Sequence, residues 1–151
     1  VVVGEAMLTM QTDAAKARIV AEAVRTLSPG GRYAIHELAL VPDELDDAVK
    51  TEIRQGLARS IKVNARPLTV AEWRSLLTDA GLRVDVERLA PMALLRPARF
   101  VADEGVLGTL RFVRNVLRDG DARKRVLGMR ATFTTYRKSI AAVAIVAAKP
   151  R

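Results

Sequence analysis

Three side chains of this sequence stand where acid–base chemistry is commonly done, at the ends of strand-like runs. Glu5 follows Val1-Val2-Val3-Gly4, and His36 and Glu37 follow Tyr33-Ala34-Ile35. His36 is the only histidine in the chain. An imidazole with an unperturbed pKa of about 6.5 can take a proton from a hydroxyl near neutral pH, although a lone histidine at a strand end also serves as a structural hydrogen-bonder. Glu5 could orient a substrate or accept from an amine, or simply cap a turn. Side-chain alternation along a strand turns Glu37 to the face opposite His36. With no cysteine and one histidine, disulfides, thiolate metal sites and multi-histidine metal centres are excluded. The absence of cysteine fits a reducing cytosol, so a cytoplasmic protein is expected.

The elements that must position these groups begin with Val1 to Val3, a β-branched run. From Asp13 to Leu27 the apolar residues Ile19, Val20, Ala23, Val24 and Leu27 recur at three- and four-residue spacing, with Lys16, Arg18, Glu22 and Arg25 read as the polar face. This predicts a helix capped by Thr12 or Asp13. Leu27-Ser28-Pro29-Gly30-Gly31-Arg32 ends that helix in a turn, and Arg32 to Val41 is rich in strand formers. The result is a βαβ unit, whose second strand lies parallel to the first. In an open parallel sheet the ligand crevice lies at the carboxyl ends of the strands. Gly4, Glu5 and Ala6 then share one cleft with His36, Glu37 and Leu38.

Beyond Pro42, an acidic cluster (Asp43, Glu44, Asp46, Asp47) precedes a stripe of Leu45, Val49, Ile53 and Leu57, predicting an inserted lid helix over 43–62. Arg66, in the connector after it, could reach the cleft and pair with an anionic substrate. Thr69-Val70-Ala71-Glu72 is a capping box. The helix it opens carries Trp73, Leu76, Leu77 and Ala80 on its inner stripe and stops at Gly81. Arg83 to Leu89 alternates like a half-exposed edge strand. Two helical patterns follow within a 97–138 insertion, on Val106, Leu110, Val113 and Leu117 and on Val126, Met129, Phe133 and Tyr136, broken at Asp119-Gly120. Tyr136, Phe133 and Met129 could line an apolar substrate pocket, or pack helices. Ile140 to Ala148 is continuously apolar, as in a strand covered on both faces.

The chain has 151 residues, half of them hydrophobic, enough for one sizeable core. No apolar run reaches the roughly 20 residues that span a bilayer, so no membrane span is expected. The net charge of +8 is uneven: between Arg96 and Lys138 there are eleven Lys and Arg against four Asp and Glu. Such a stretch could meet nucleic acid, anionic lipid or an acidic small molecule, or be a solvated helix face. A non-catalytic module binding nucleic acid or an acidic partner through Arg111, Arg114, Arg118, Arg123, Lys124 and Arg125 is therefore the alternative to an enzyme. Its mark would be steep salt dependence. With 4% aromatic residues, base stacking on single strands is disfavoured.

Val1-Val2-Val3-Gly4-Glu5-Ala6-Met7-Leu8-Thr9, then Leu27-Ser28-Pro29-Gly30-Gly31-Arg32, then Leu68-Thr69 through Ala80-Gly81-Leu82, together resemble the later half of class I S-adenosylmethionine-dependent methyltransferases, near the ubiquinone/menaquinone-biosynthesis type, type 11. The resemblance covers most of the chain and is weakest over the basic insertion. It implies an α/β fold, strands 4 to 7 of a Rossmann-like sheet with inserted helices and an antiparallel last strand at Ile140 to Ala148. It also implies S-adenosylmethionine as cofactor, with Gly4 and Glu5 beside it, and a small-molecule methyl acceptor. In that cleft the expected catalytic residue is His36, with Glu37, Arg66 and Tyr136 toward substrate. The Gly-rich first strand-turn-helix and the acidic residue ending the second strand of such enzymes are not in these 151 residues. At roughly 30 residues per βα unit, three further units would need on the order of 90 residues upstream of Val1. The chain is therefore expected to be a C-terminal fragment, inactive alone, whose open edge at Val1 to Val3 pairs with the missing N-terminal half or with a second copy.

Overall fold

Strand β1 (Val2–Glu5) and strand β2 (Arg32–Leu40) pair in parallel with Glu5 opposite His36, and helix α1 (Asp13–Thr26) crosses between them. This is the βαβ unit anticipated from the turn at Ser28 to Gly31. The computed structural model describes residues 1–61, 63–92 and 97–151, with the backbone alone for 97–100 and 103. Lys62, at the end of the expected lid, and Arg96, at the start of the basic stretch, lie outside the described residues. Thr12 is the α1 cap, its hydroxyl accepting from the Ala15 N–H at 3.3 Å. Gly4 belongs to β1 itself rather than to the loop after it.

Helix α2 (Asp47–Ile61) follows, then a two-residue strand β3 (Leu68–Thr69) parallel to β2. β3 falls where the sequence shows only the end of a connector and the first residue of the capping box, because two residues carry no periodicity. Helix α3 (Val70–Asp79) and strand β4 (Arg83–Pro91) come next, joined through Gly81 at φ +86°, a conformation glycine adopts without steric cost. Helices α4 (Pro97–Arg118) and α5 (Gly120–Thr135) form the insertion, and Asp119 caps α5. α4 is kinked at Gly105, φ +70°. Strand β5 (Ile140–Ala148) then enters antiparallel between β2 and β4, so the order across the sheet is β1, β2, β5, β4. The last strand in the chain is thus central in the sheet, and β4 is the edge strand its alternation predicted; the cover expected on both faces of β5 is complete only on the face of Ala141, Val143, Ile145 and Ala147, while Ala144 on the other face is exposed.

Two apolar clusters hold these layers. One packs Val20 and Ala23 of α1 and Trp73 and Leu77 of α3 on Tyr33, Ile35, Val143 and Ile145 of the sheet. The other seats Ile53 and Leu57 of α2 on Leu40 and Ile140. Two expectations change here. Lys16, read as part of the polar face of α1, is fully buried. It lies four residues before Val20 and seven before Ala23, on the inner stripe, and its ammonium stands 5.9 Å from the Trp73 ring centroid. Asp43, read as favouring the start of the lid helix, caps α3 instead: its carboxylate accepts from the Ala71 N–H at 2.9 Å.

The α3 capping box forms as its four residues dictate, with Thr69 and Glu72 each accepting from the other's backbone N–H. Glu72 also takes a hydrogen bond from Lys50 of α2 at 2.8 Å. Burial pushes its carboxyl upward, but the Lys50 and Thr69 bonds and the charges of Lys50 and Arg54 outweigh that and hold it below the ordinary value of 4.5. A carboxyl with a lower pKa folded than unfolded contributes stability above its unfolded pKa and loses it as pH falls through the folded one. Urea unfolding midpoints measured across a pH series should therefore decline from roughly pH 5 downward. Glu72→Gln should flatten part of that decline; an acid limb identical in the two proteins would refute the linkage.

Candidate active site

The parallel pairing of β1 and β2 brings Glu5 and His36 together at the carboxyl end of β1, but His36 and Glu37, expected at a strand end, lie midway along β2, which runs on to Leu40. The Glu5 and His36 side chains are exposed, and His36 Nδ1 lies 3.6 Å from Glu5 Oε1. That is ion-pair reach for a protonated imidazole and longer than a hydrogen bond. The Ala6 N–H extends the ladder by donating to the His36 carbonyl at 2.8 Å. Ala6 itself is left-handed, φ +52°, a conformation that costs a non-glycine residue about 1 kcal/mol or more. The turn there sends the chain across the strand end into a 3-10 turn, Leu8–Met10.

Glu37 is what holds that turn. It is buried, as alternation with His36 requires. One carboxylate oxygen accepts from the Leu8 N–H at 2.9 Å, and the other from the Thr9 N–H at 3.0 Å and the Thr9 hydroxyl at 2.7 Å. Glu37 was expected at the substrate. The structure turns it inward instead, with its oxygens engaged by the β1 loop, so it is a positioning residue. Gly4 is likewise explained from inside. A Cβ there would lie 3.2 Å from the Tyr33 hydroxyl, so its missing side chain makes room for a core tyrosine. Burial and the charge of Glu37 push the Tyr33 phenol upward.

Arg66 comes to the same loop. Its N–H donates to the Thr9 carbonyl at 2.7 Å, while Arg54 donates through its guanidinium to the Pro67 carbonyl. Lys16 donates to Asp13 at 2.9 Å and to the Gln11 carbonyl at 3.0 Å. Asp13 is held below its ordinary value first by the Lys16 hydrogen bond, against burial, and then by the charges of Lys16, Arg54 and Arg66. Arg54 and Arg66 thus lie near enough to Asp13, at the start of α1, for their charges to act on it. Tyr136 lies elsewhere on the insertion, its hydroxyl donating to Glu52 of α2 at 2.9 Å and its ring packed against Gly56. The Glu52 bond, aided by burial and the Glu52 charge, raises its phenol against the pull of Arg59.

Sequence reasoning missed Thr9, Lys16 and Asp13. Lys16 had a signal, its register with Val20 and Ala23. Thr9 had none, since its partner is 28 residues away.

No protein-family model matches the chain. An uncharacterized protein of Haemophilus influenzae is 30% identical over 149 residues, which is 99% of this chain and 57% of that protein. The chain thus spans a little over half the length of the curated relative it matches. Among solved structures, a putative sarcosine dimethylglycine methyltransferase from Galdieria sulphuraria aligns with 98% of this chain and 52% of its own at 21% identity, TM-score 0.59. Phosphoethanolamine N-methyltransferase 2 of Haemonchus contortus, in complex with S-adenosyl-L-methionine, aligns with 99% of this chain and 33% of its own at 14% identity, TM-score 0.61. The [4+2]-cyclase SpnF aligns with 98% of this chain and 48% of its own at 16% identity, TM-score 0.61. A cyclase among them shows that this architecture also hosts other chemistry. The βαβ unit, the sheet with its antiparallel last strand in the interior, and these likenesses agree: the chain has the fold of the C-terminal half of class I S-adenosylmethionine-dependent methyltransferases.

Proposed function

We propose that this chain is the acceptor-facing half of a cytoplasmic S-adenosylmethionine-dependent methyltransferase acting on a small molecule. The observation that carries this reading is the Glu5–His36 pair, 3.6 Å apart, with Glu5 ending β1 and His36 midway along the neighbouring parallel strand β2, beside a loop locked from within by Glu37. The residues present fit one side of the cofactor. Glu5 offers an exposed carboxylate at a strand end, able to accept from an ammonium or a hydroxyl. Gly4 is taken up by Tyr33, and the Gly-rich strand-turn-helix is not in these 151 residues. The isolated chain is accordingly inactive, and the exposed outer edge of β1, where Val3 faces solvent, is where the remaining sheet or a second copy pairs.

When bound, the cofactor supplies an electrophilic methyl group on a sulfonium. His36 takes the proton that the acceptor's hydroxyl or amine gives up, with Glu5 3.6 Å away on the neighbouring strand. Arg66 and Arg54 favour an acceptor bearing an anionic group. Tyr136, fixed to α2 through Glu52, holds the insertion against α2.

The test uses the protein as its gene encodes it, with calorimetric titration of S-adenosylhomocysteine and release of that product against a panel of hydroxylated and aminated metabolites. His36→Ala is expected to lower kcat by about 10² to 10⁴, leaving S-adenosylhomocysteine affinity within about threefold, since the imidazole acts on the acceptor. No binding of S-adenosylhomocysteine at millimolar concentration would overturn the methyltransferase reading. Unchanged kcat in the variant would overturn the role of His36.

A further inference from the structure

Past its kink at Gly105, helix α4 carries an apolar stripe that nothing among the described residues covers. Val106, Leu110 and Leu117 are 66%, 59% and 64% exposed, and Val113, on the same stripe, is 44% exposed. Their spacing of four, three and four residues puts them on one face. The side of α4 toward α5 is a different one, where Phe112, Asn115 and Val116 border a groove with Ala122, Val126 and Met129. Packing against α5 therefore leaves the outer stripe in water. The sequence pattern had read that stripe as a helix-forming signal, and the structure turns it outward.

Beside the stripe runs a second one. Arg111, Arg114 and Arg118 recur at three- and four-residue spacing along the adjoining face, with Leu107, 83% exposed, at its start. All three arginines are exposed and none is ion-paired among the described residues. From residue 106 to 130 there are seven Arg and Lys and two Asp, and one of those two, Asp119, has its carboxylate turned to the N–H groups that start α5.

We infer that the outer face of α4 docks flat on a lipid bilayer containing anionic headgroups. A helix of this kind lies in the interface plane, with apolar residues in the boundary between headgroups and acyl chains and cations among the phosphates. From Val106 to Arg118 the helix is ~20 Å long at 1.5 Å per residue, enough to lie on a bilayer. No helix among the described residues is long and apolar enough to cross one. Other occupants satisfy only half of this surface. A second copy meeting the stripe symmetrically would bring two sets of Arg111, Arg114 and Arg118 together. Nucleic acid would take the arginines and leave Val106, Leu110 and Leu117 in water. An anionic membrane takes both stripes at once. The inference is independent of the methyl-transfer reading.

The test is co-sedimentation of the gene-encoded protein with vesicles of phosphatidylglycerol and phosphatidylcholine mixed about equally, against pure phosphatidylcholine. Binding is expected on the anionic vesicles and weak on the neutral ones. Arg111→Ser, Arg114→Ser and Arg118→Ser together should weaken it roughly a hundredfold, given the contribution of each basic residue near such a surface. Leu110→Glu with Leu117→Glu should abolish it at an unchanged Tm, both positions being exposed. Three results would overturn the inference: no sedimentation with anionic vesicles, a vesicle-free dimer by light scattering that the leucine variant dissolves, or heparin binding that competes with vesicles and is indifferent to the leucine variant.

Discussion

Glu37→Ala is expected to lower the unfolding free energy by about 3 to 5 kcal/mol, because it strands several buried donors at once. The carboxylate receives the Leu8 and Thr9 N–H groups and the Thr9 hydroxyl, and Glu37, Leu8 and Thr9 are all buried. Leaving a buried donor unmade costs about 1 to 3 kcal/mol, more than the bond itself returns. Glu37→Gln should cost less, about 2 kcal/mol, since it keeps one acceptor oxygen and places an amide N–H₂ against another donor. Guanidinium unfolding of the gene-encoded protein checks both. A double-mutant cycle with Thr9→Val isolates the hydroxyl contact, with a coupling of about 1 kcal/mol expected. An alanine variant within about 1 kcal/mol of the parent would mean that Glu37 does not hold this loop. The consequence reaches function, because the same turn, through the left-handed Ala6, sets where Glu5 meets His36. Activity should fall in both variants even where the protein remains folded.

Trp73→Ala is the second large effect, expected at about 3 to 5 kcal/mol. Trp73 is fully buried on the face of α3 that packs on the sheet, and its indole N–H donates to the Leu38 carbonyl of β2 at 3.0 Å. Its ring also stands beside the buried Lys16, whose ammonium is 5.9 Å from the ring centroid. Truncation leaves a cavity and frees a carbonyl, and it removes the ring from beside a buried cation. Trp73→Phe keeps most of the volume and should cost about 1 to 2 kcal/mol, chiefly for the lost indole hydrogen bond. Trp73 is the only tryptophan, so the variants are followed by far-ultraviolet circular dichroism rather than by fluorescence. A cost below about 1 kcal/mol for the alanine variant would show that the site collapses around the deletion.

Much of the fold was legible because its signals are local. The Thr69–Glu72 box needs four residues and forms as written. The turn from Ser28 to Gly31 needs a helix end and two glycines, and the continuous apolar run at 140–148 marks a strand, though which of its faces is covered depends on the neighbouring layers. Of the candidate site, alternation correctly separated the faces of His36 and Glu37. What lies on the inner face was not legible: the partners of Glu37 are 28 and 29 residues away, and nothing in the spacing identifies them. Asp43 shows the same limit. It sits just before one helix in sequence and caps another, through an N–H 28 residues distant.

Local signals in the chain suffice for the helices and strands longer than a few residues, the βαβ unit, the edge character of β4 and the imbalance of charge in the insertion. Periodicity, capping and turn chemistry act within about two turns of helix or one strand, so the residues that cause them are neighbours in the chain. Tertiary structure alone decided that Glu37 braces a loop, that Lys16 is buried against Trp73, that Gly4 yields its space to Tyr33, and that the α4 stripe faces out. Each of these depends on which surface is brought opposite, and an amphipathic pattern states that a face is apolar without stating what covers it.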